Sequence, residues 1–140
     1  MTRPANDFNA KIIEEFRSNA GHVGGQFADA TVLLLHHTGA KSGTERVSPL
    51  VYQPVGQSFA IFASMGGAPV NPAWYHNVVA HPDVTIEVGT QTIQVRAHVA
   101  GPGEREDIWE RQKRARPNFA EYEVKATPRE IPVIILEPVS

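Results

Sequence analysis

The stretch V-T-I-E-V-G-T-Q-T-I-Q-V-R-A-H-V, Val84 to Val99, decides the fold class. Val84, Ile86 and Val88 alternate with Thr85 and Glu87. Beyond Gly89-Thr90, Ile93, Val95, Ala97 and Val99 alternate with Thr92, Gln94, Arg96 and His98. A period of two sends every second side chain to one face, so these residues predict an antiparallel hairpin with one buried face. Upstream, Thr31–His37 reads as a strand and Arg46–Val55 as the next, with Pro49 and Pro54 marking a bulge or an edge. Gly56-Gln57 turns the chain into a strand over Ser58–Ser64, followed by the loop Met65-Gly66-Gly67-Ala68-Pro69. Pro72 suits the first turn of a short helix to about Ala80, capped by Asn71.

Downstream, Glu104–Arg116 reads as a charged helix supported by Asp107–Arg111 and Glu110–Arg114 pairs. Asn118–Ala126 holds a further helical turn and Ile131–Glu137 a last strand. At the N-terminus Phe8, Ile12, Ile13 and Phe16 share a helix face, with Asn6 or Asp7 as cap and Gly21 as stop. Five or six hairpin-linked strands with flanking helices give an α+β class. A small closed or half-open antiparallel barrel hides their edges economically. The strands do not alternate with crossover helices, so a doubly wound parallel sheet is not expected. At 140 residues the chain is expected to form one domain, 1–140, with helix 1–21 at its start.

Thirteen Lys and Arg against fifteen Asp and Glu give a net charge of −2, which argues against bulk electrostatic binding to nucleic acid or an anionic membrane. With no cysteine, disulfides, thiol catalysis and thiolate metal sites are excluded. Apolar runs such as Val32–Leu35 and Val133–Leu136 are far too short to cross a bilayer. M-T-R-P-A-N-D-F has no apolar signal core, so a cytoplasmic location is expected, with peripheral membrane contact left open.

No G-x-G-x-x-G follows a strand, and Gly39-Ala40-Lys41-Ser42 lacks the glycines of a phosphate-binding P-loop. His36 and His37 point to opposite strand faces, and His76 and His81 are five apart, so no metal site is expected. No G-x-S-x-G elbow supports a nucleophilic serine. What remains is the turn Thr38–Arg46, where Lys41, Ser42, Arg46 and nearby Ser48 combine cations, hydroxyls and glycine backbone. That set suits a phosphate or carboxylate, and it equally suits an ordinary turn with solvated cations. Asn71-Pro72-Ala73-Trp74-Tyr75-His76-Asn77 either walls a flat heteroaromatic ring or lets Trp74 plug the core. Trp109, on a charged helix, is assigned to packing.

The segments L-L-L-H-H-T-G-A-K-S-G-T-E-R-V-S-P-L (Leu33–Leu50), A-S-M-G-G-A-P-V-N-P-A-W-Y-H-N (Ala63–Asn77), A-H-P-D-V (Ala80–Val84) and T-P-R-E-I-P-V (Thr127–Val133) carry a resemblance. In that order they resemble the deazaflavin-dependent nitroreductase family of actinobacteria, small oxidoreductases that use coenzyme F420. The resemblance implies a split antiparallel β-barrel of the FMN-binding, pyridoxamine-phosphate-oxidase-like type. It also implies a hydride transfer from reduced F420 to a quinone, an α,β-unsaturated carbonyl or a nitroaromatic. By position, Ala40, Lys41, Ser42, Arg46, Val47, Ser48, Pro49, Leu50 and Val51 match coenzyme-binding residues. Phe62, Ala63, Ser64, Met65, Ala73, Trp74, Tyr75, His76, Asn77 and Phe119 match those lining the ring. Ser64 and Tyr122 are the polar groups expected to act in catalysis. Met65 stands where relatives often have lysine, and Phe119 where nitroimidazole-reducing members tend to have tyrosine. An FMN-dependent barrel and a non-catalytic F420-binding protein are the alternatives. The partner is a small hydride acceptor, with no nucleic acid and an open oligomeric state.

Overall fold

A computed structural model describes residues 4–24 and 31–139. The elements run α1 (Pro4–Ser18), β1 (Val32–Thr38), β2 (Glu45–Val55), β3 (Ser58–Phe62), α2 (Ala73–Ala80), β4 (Asp83–Val88), β5 (Gln91–Val99), α3 (Pro102–Ala115), α4 (Asn118–Ala126) and β6 (Val133–Pro138). The six strands close into a barrel in the order β1-β2-β3-β6-β5-β4, every neighbouring pair antiparallel. The 84–99 hairpin forms as its alternation dictates, with Ile86 opposite Ile93 and Val84 opposite Val95.

β1 explains why four apolar residues stand in a row. Leu33 and Leu35 point into the barrel with Ile61, Ile86, Val95 and Leu136. Val32 and Leu34 point outward beneath α1, against Ile12 and Phe16. A strand covered on both faces loses its alternation. Phe16 is fully buried there, which contributes about 2–3 kcal/mol to holding α1 down. Arg17 clamps the end of the same helix to Glu87 through bonds of 2.6 and 3.1 Å. Those bonds hold the Glu87 carboxyl below its usual range. Gly21 ends the turn with φ +94°, and a Cβ there would lie 2.8 Å from Gly89 Cα. α3 and α4 cover the far side of β3 and β6 with Ile108, Trp109 and Phe119, joined by Ile131 from the segment before β6.

β2 reconciles its prolines. Among the described residues, Glu45–Val51 pairs only with β1, and Tyr52–Val55 pairs only with β3. Pro49 therefore sits on a half-paired segment whose other side carries no ladder, as an edge position requires. The register through both prolines is continuous, so neither marks a bulge.

Several local expectations are corrected. α1 begins at Pro4, so Asn6 and Asp7 lie inside it and do not cap it; the Phe8 side chain lies outside the described residues. Pro72, not Asn71, is the cap residue of α2, and the Asn71 side chain is drawn away to Arg129. On α3, Arg111 reaches Gln53 on β2 and Glu110 pairs with Lys113. Both long side chains find better-placed partners than the helical neighbours expected for them. Among the described residues no helix is long and apolar enough to cross a membrane.

Candidate functional site

The half-paired segment of β2 forms one wall of a groove of about 450 Å³. Pro49, Leu50 and Val51 line it from β2, Phe62 from the end of β3, and Ser64, Met65 and Gly66 from the turn that follows. Pro72 and Trp74 close it from the start of α2, and Arg116, Asn118, Phe119 and Tyr122 from α4 and its approach. The sequence-derived residues Pro49, Leu50, Val51, Phe62, Ser64, Met65, Trp74, Phe119 and Tyr122 thus come together in one cleft. Trp74 borders the groove while packing into the barrel core.

Aromatic rings build the floor. Phe119 is buried, edge-on to Phe62 at 5.6 Å and to Tyr122 at 5.3 Å, and it meets Trp109 at 6.1 Å. Trp109 itself is fixed from outside, donating to Glu123 at 2.6 Å under the Arg105 guanidinium. Asn118 Nδ2 donates to the Tyr122 hydroxyl at 3.0 Å, one turn along α4. Because an amide nitrogen can only donate, the phenol oxygen accepts that bond and keeps its own proton free to donate.

The turn at Ser64–Gly67 is held from behind by Arg129. Its five N–H groups reach Ala68 O (3.0 and 2.7 Å), Ala63 O (3.0 Å), Ser64 O (2.9 Å) and Asn71 Oδ1 (2.6 Å). A guanidinium has five donors, so all are used. Gly67, at φ +86°, lets α4 press onto this turn: a Cβ there would come within 2.7 Å of Lys125 Cβ and 2.9 Å of Tyr122 O. Met65, exposed, takes a positive φ of 48°.

The remaining sequence-derived residues lie outside the groove lining. Ala40, Lys41, Ser42 and Arg46 are exposed around the β1–β2 turn, and Ser42 Oγ accepts from Thr44 N at 3.2 Å. Lys41 and Arg46 have no carboxylate partner among the described residues. Arg46 lies three residues from Pro49 along one strand, about 10 Å. Val47 turns toward α1, Ala63 is enclosed in the barrel core, and Tyr75 packs on that core. Ala73 and His76 are exposed, His76 edge-on to Tyr75. Asn77 is buried, accepting from Ala40 N at 2.9 Å and meeting His37 Nδ1 at 2.9 Å. His37 in turn meets Ser48 Oγ at 2.9 Å through Nε2. Burial, reinforced by the nearby charges of Arg46 and His36, pushes the His37 pKa down to about 4.

Three residues of this site escape a reading of motifs. Arg129 stands within T-P-R-E-I-P-V, but nothing in its spacing says that it reaches back some sixty residues to a turn. His37 looks like one of a histidine pair, and Asn118 like a helix start. Among the described residues no three His, Asp or Glu side chains gather as a metal set.

Comparison with known proteins finds relatives of this chain in sequence and in structure. The family model described as F420H(2)-dependent quinone reductase matches residues 10–138. An F420H(2)-dependent quinone reductase of Mycobacterium tuberculosis is 37% identical over 125 residues, covering 86% of this chain and 83% of the relative. A solved F420-H2 dependent reductase, FDR-A, superposes with a TM-score of 0.69 at 40% identity, covering 76% of this chain and 93% of the other. A pyridoxamine 5′-phosphate oxidase-like chain from Listeria innocua shares the split-barrel fold at 12% identity and a TM-score of 0.56, covering 95% of this chain and 94% of the other.

Proposed function

The chain belongs to the family of F420H2-dependent quinone reductases, with reduced coenzyme F420 as cofactor, and from that premise we propose that the groove between β2 and α4 holds the coenzyme's ring together with the acceptor it reduces. One observation carries the reading: an aromatic-walled groove opens along the same strand that carries Arg46, a cation with no carboxylate partner among the described residues. The residues present fit the group. A flat ring needs apolar and aromatic walls, which Leu50, Phe62, Trp74 and Phe119 supply. An anionic tail needs cations not already neutralised, and Lys41 and Arg46 have no carboxylate partner among the described residues. The outward side of β2 over Glu45–Val51 has no strand partner among the described residues, so its backbone groups can meet the ring's amide edge.

When bound, reduced F420 supplies the hydride. The chain's part is placement, exclusion of water and management of one proton. Phe62, Phe119 and Trp74 keep water from the floor of the cleft. Tyr122, with Asn118 occupying its oxygen, presents its hydroxyl proton to the acceptor oxygen that gains charge as the hydride arrives. Ser64, on the turn that Arg129 holds, offers a second hydroxyl to orient the acceptor.

Quinones lead the acceptor classes, with α,β-unsaturated carbonyls and nitroaromatics next. Phe119 faces the groove without a hydroxyl, which supports weak reduction of bulky nitroimidazoles. The test is anaerobic turnover of reduced F420 with menadione, followed by the absorbance of oxidised coenzyme. Steady turnover supports the reading. Binding without turnover refutes the catalytic assignment, and a protein that purifies yellow with bound FMN refutes the coenzyme assignment.

A further inference from the structure

We propose that His37 is a positioning residue that turns the Ser48 hydroxyl proton outward, toward an anionic oxygen of the coenzyme's tail. The proposal rests on the coenzyme reading above, and its argument is one of proton direction. The Ala40 backbone N–H can only donate, so the Asn77 atom 2.9 Å from it is the amide oxygen. The Asn77 amide nitrogen therefore faces His37 Nδ1, also at 2.9 Å. An amide nitrogen can only donate, so Nδ1 must present its lone pair. A neutral imidazole with a bare Nδ1 carries its proton on Nε2. That Nε2–H then donates to Ser48 Oγ at 2.9 Å.

Each link runs the same way: Ala40 to Asn77, Asn77 to His37, His37 to Ser48. At its end the Ser48 oxygen is occupied as an acceptor, and its own proton cannot point back at a nitrogen that already carries one. Ser48 is half-buried, and its hydroxyl has no other partner among the described residues. Residues two apart on a strand share a face, so the Ser48 side chain lies on the same side of β2 as Arg46. Ala40, where the chain begins, precedes Lys41 and Ser42 in the turn. The network thus fixes one directed donor on the strand face that carries Arg46 and ties it to the turn that carries Lys41, a set suited to phosphate or carboxylate oxygens.

The same logic excludes an activity that the spacing invites. Ser48, His37 and Asn77 are linked as a serine nucleophile, its base and an orienting amide would be. A base would need a bare Nε2 facing the serine, and here the bare nitrogen is Nδ1. His37, almost fully buried, holds this form at neutral pH because its environment strongly disfavours the charged ring.

Two measurements test the assignment. In protein labelled with ¹⁵N-histidine, long-range proton–nitrogen spectra report which His37 nitrogen is protonated. An Nε2–H tautomer at pH 7 is expected; an Nδ1–H tautomer or an imidazolium overturns the proposal without any coenzyme present. Fluorescence titrations then compare full-length F420 with the deazaflavin riboside that lacks phosphate and glutamates. Ser48→Ala is expected to weaken the full coenzyme about tenfold and leave the riboside unchanged. His37→Phe is expected to do the same alone and to add nothing in the Ser48→Ala background. The phospholactyl form without glutamates tells phosphate from carboxylate by whether the tenfold loss persists. If wild-type protein binds the coenzyme and Ser48→Ala binds it equally well, this proposal falls alone. If the wild-type protein binds no F420, the functional reading falls and takes the coenzyme half of this one with it.

Discussion

Burial and neighbouring positive charge keep His37 neutral in the folded chain down to about pH 4, whereas the unfolded chain protonates it near 6.5. Between those values the unfolded state binds the extra proton, so stability is full above about 6.5 and is lost as pH falls toward 4. The loss levels off below that, after about 3 kcal/mol for this residue. Urea unfolding at pH 7 and pH 4.5 checks it: His37→Gln should flatten the difference, and an equal slope in both proteins contradicts the assignment. Tyr122 is the second residue-scale case. Tyr122→Phe keeps the aromatic floor and removes the proton, so menadione turnover should fall about a hundredfold with coenzyme affinity unchanged. Unchanged turnover removes Tyr122 from the chemistry. Phe119→Tyr should raise nitroimidazole reduction, since the ring already lines the groove. Residue types announced part of the groove and of the proposed tail site: aromatics after a Gly-Gly loop and cations in a glycine turn are both visible in a linear chain. The direction of a proton between His37 and Ser48 is not, because it depends on an asparagine forty residues away.

At the scale of elements, the Ser64–Gly67 turn is shaped as much by Arg129 as by its own glycines. Three of its surrounding carbonyls, at Ala63, Ser64 and Ala68, converge on one guanidinium. A lysine has three donors on a rotating ammonium and cannot match that planar fork. Arg129→Lys should therefore cost about 2–3 kcal/mol and raise the KM for the acceptor, because Ser64 and Gly66 would lose their place in the groove. Thermal unfolding together with steady-state kinetics reads both; a variant with wild-type melting and kinetics contradicts the role. The element pattern was largely legible. Alternation revealed the 84–99 hairpin, and the apolar run before His36 revealed β1. Caps and ion pairs were less so. Asn71 has the chemistry of a helix cap, but Arg129 offers its oxygen a charged donor at 2.6 Å and wins it. Arg111 likewise leaves its helix to bond Gln53, a partner set by packing and invisible to spacing.

For the molecule as a whole, a net charge of −2 leaves little long-range attraction for an anionic coenzyme. Under the proposed reading, recognition of its tail rests on Lys41 and Arg46 locally. Lys41→Ala or Arg46→Ala should weaken F420 binding about tenfold at low salt, with the loss shrinking at high ionic strength as the charges are screened. Equal affinity for both variants at low salt would remove these cations from the site. A closed or half-open barrel could be inferred from edge-hiding alone, but the half-paired β2 could not. It arises because β1 covers one half of the strand and β3 the other, and the uncovered side becomes the wall of the groove. The central claim is that this wall is where the coenzyme ring lies. A crystal structure of the protein with oxidised F420 tests it most directly. The account predicts density for the ring between Pro49–Val51 and the Phe62, Trp74 and Phe119 side chains, with the tail running toward Ser48, Arg46 and Lys41. A ring bound elsewhere on the barrel, leaving this groove to solvent, would contradict it.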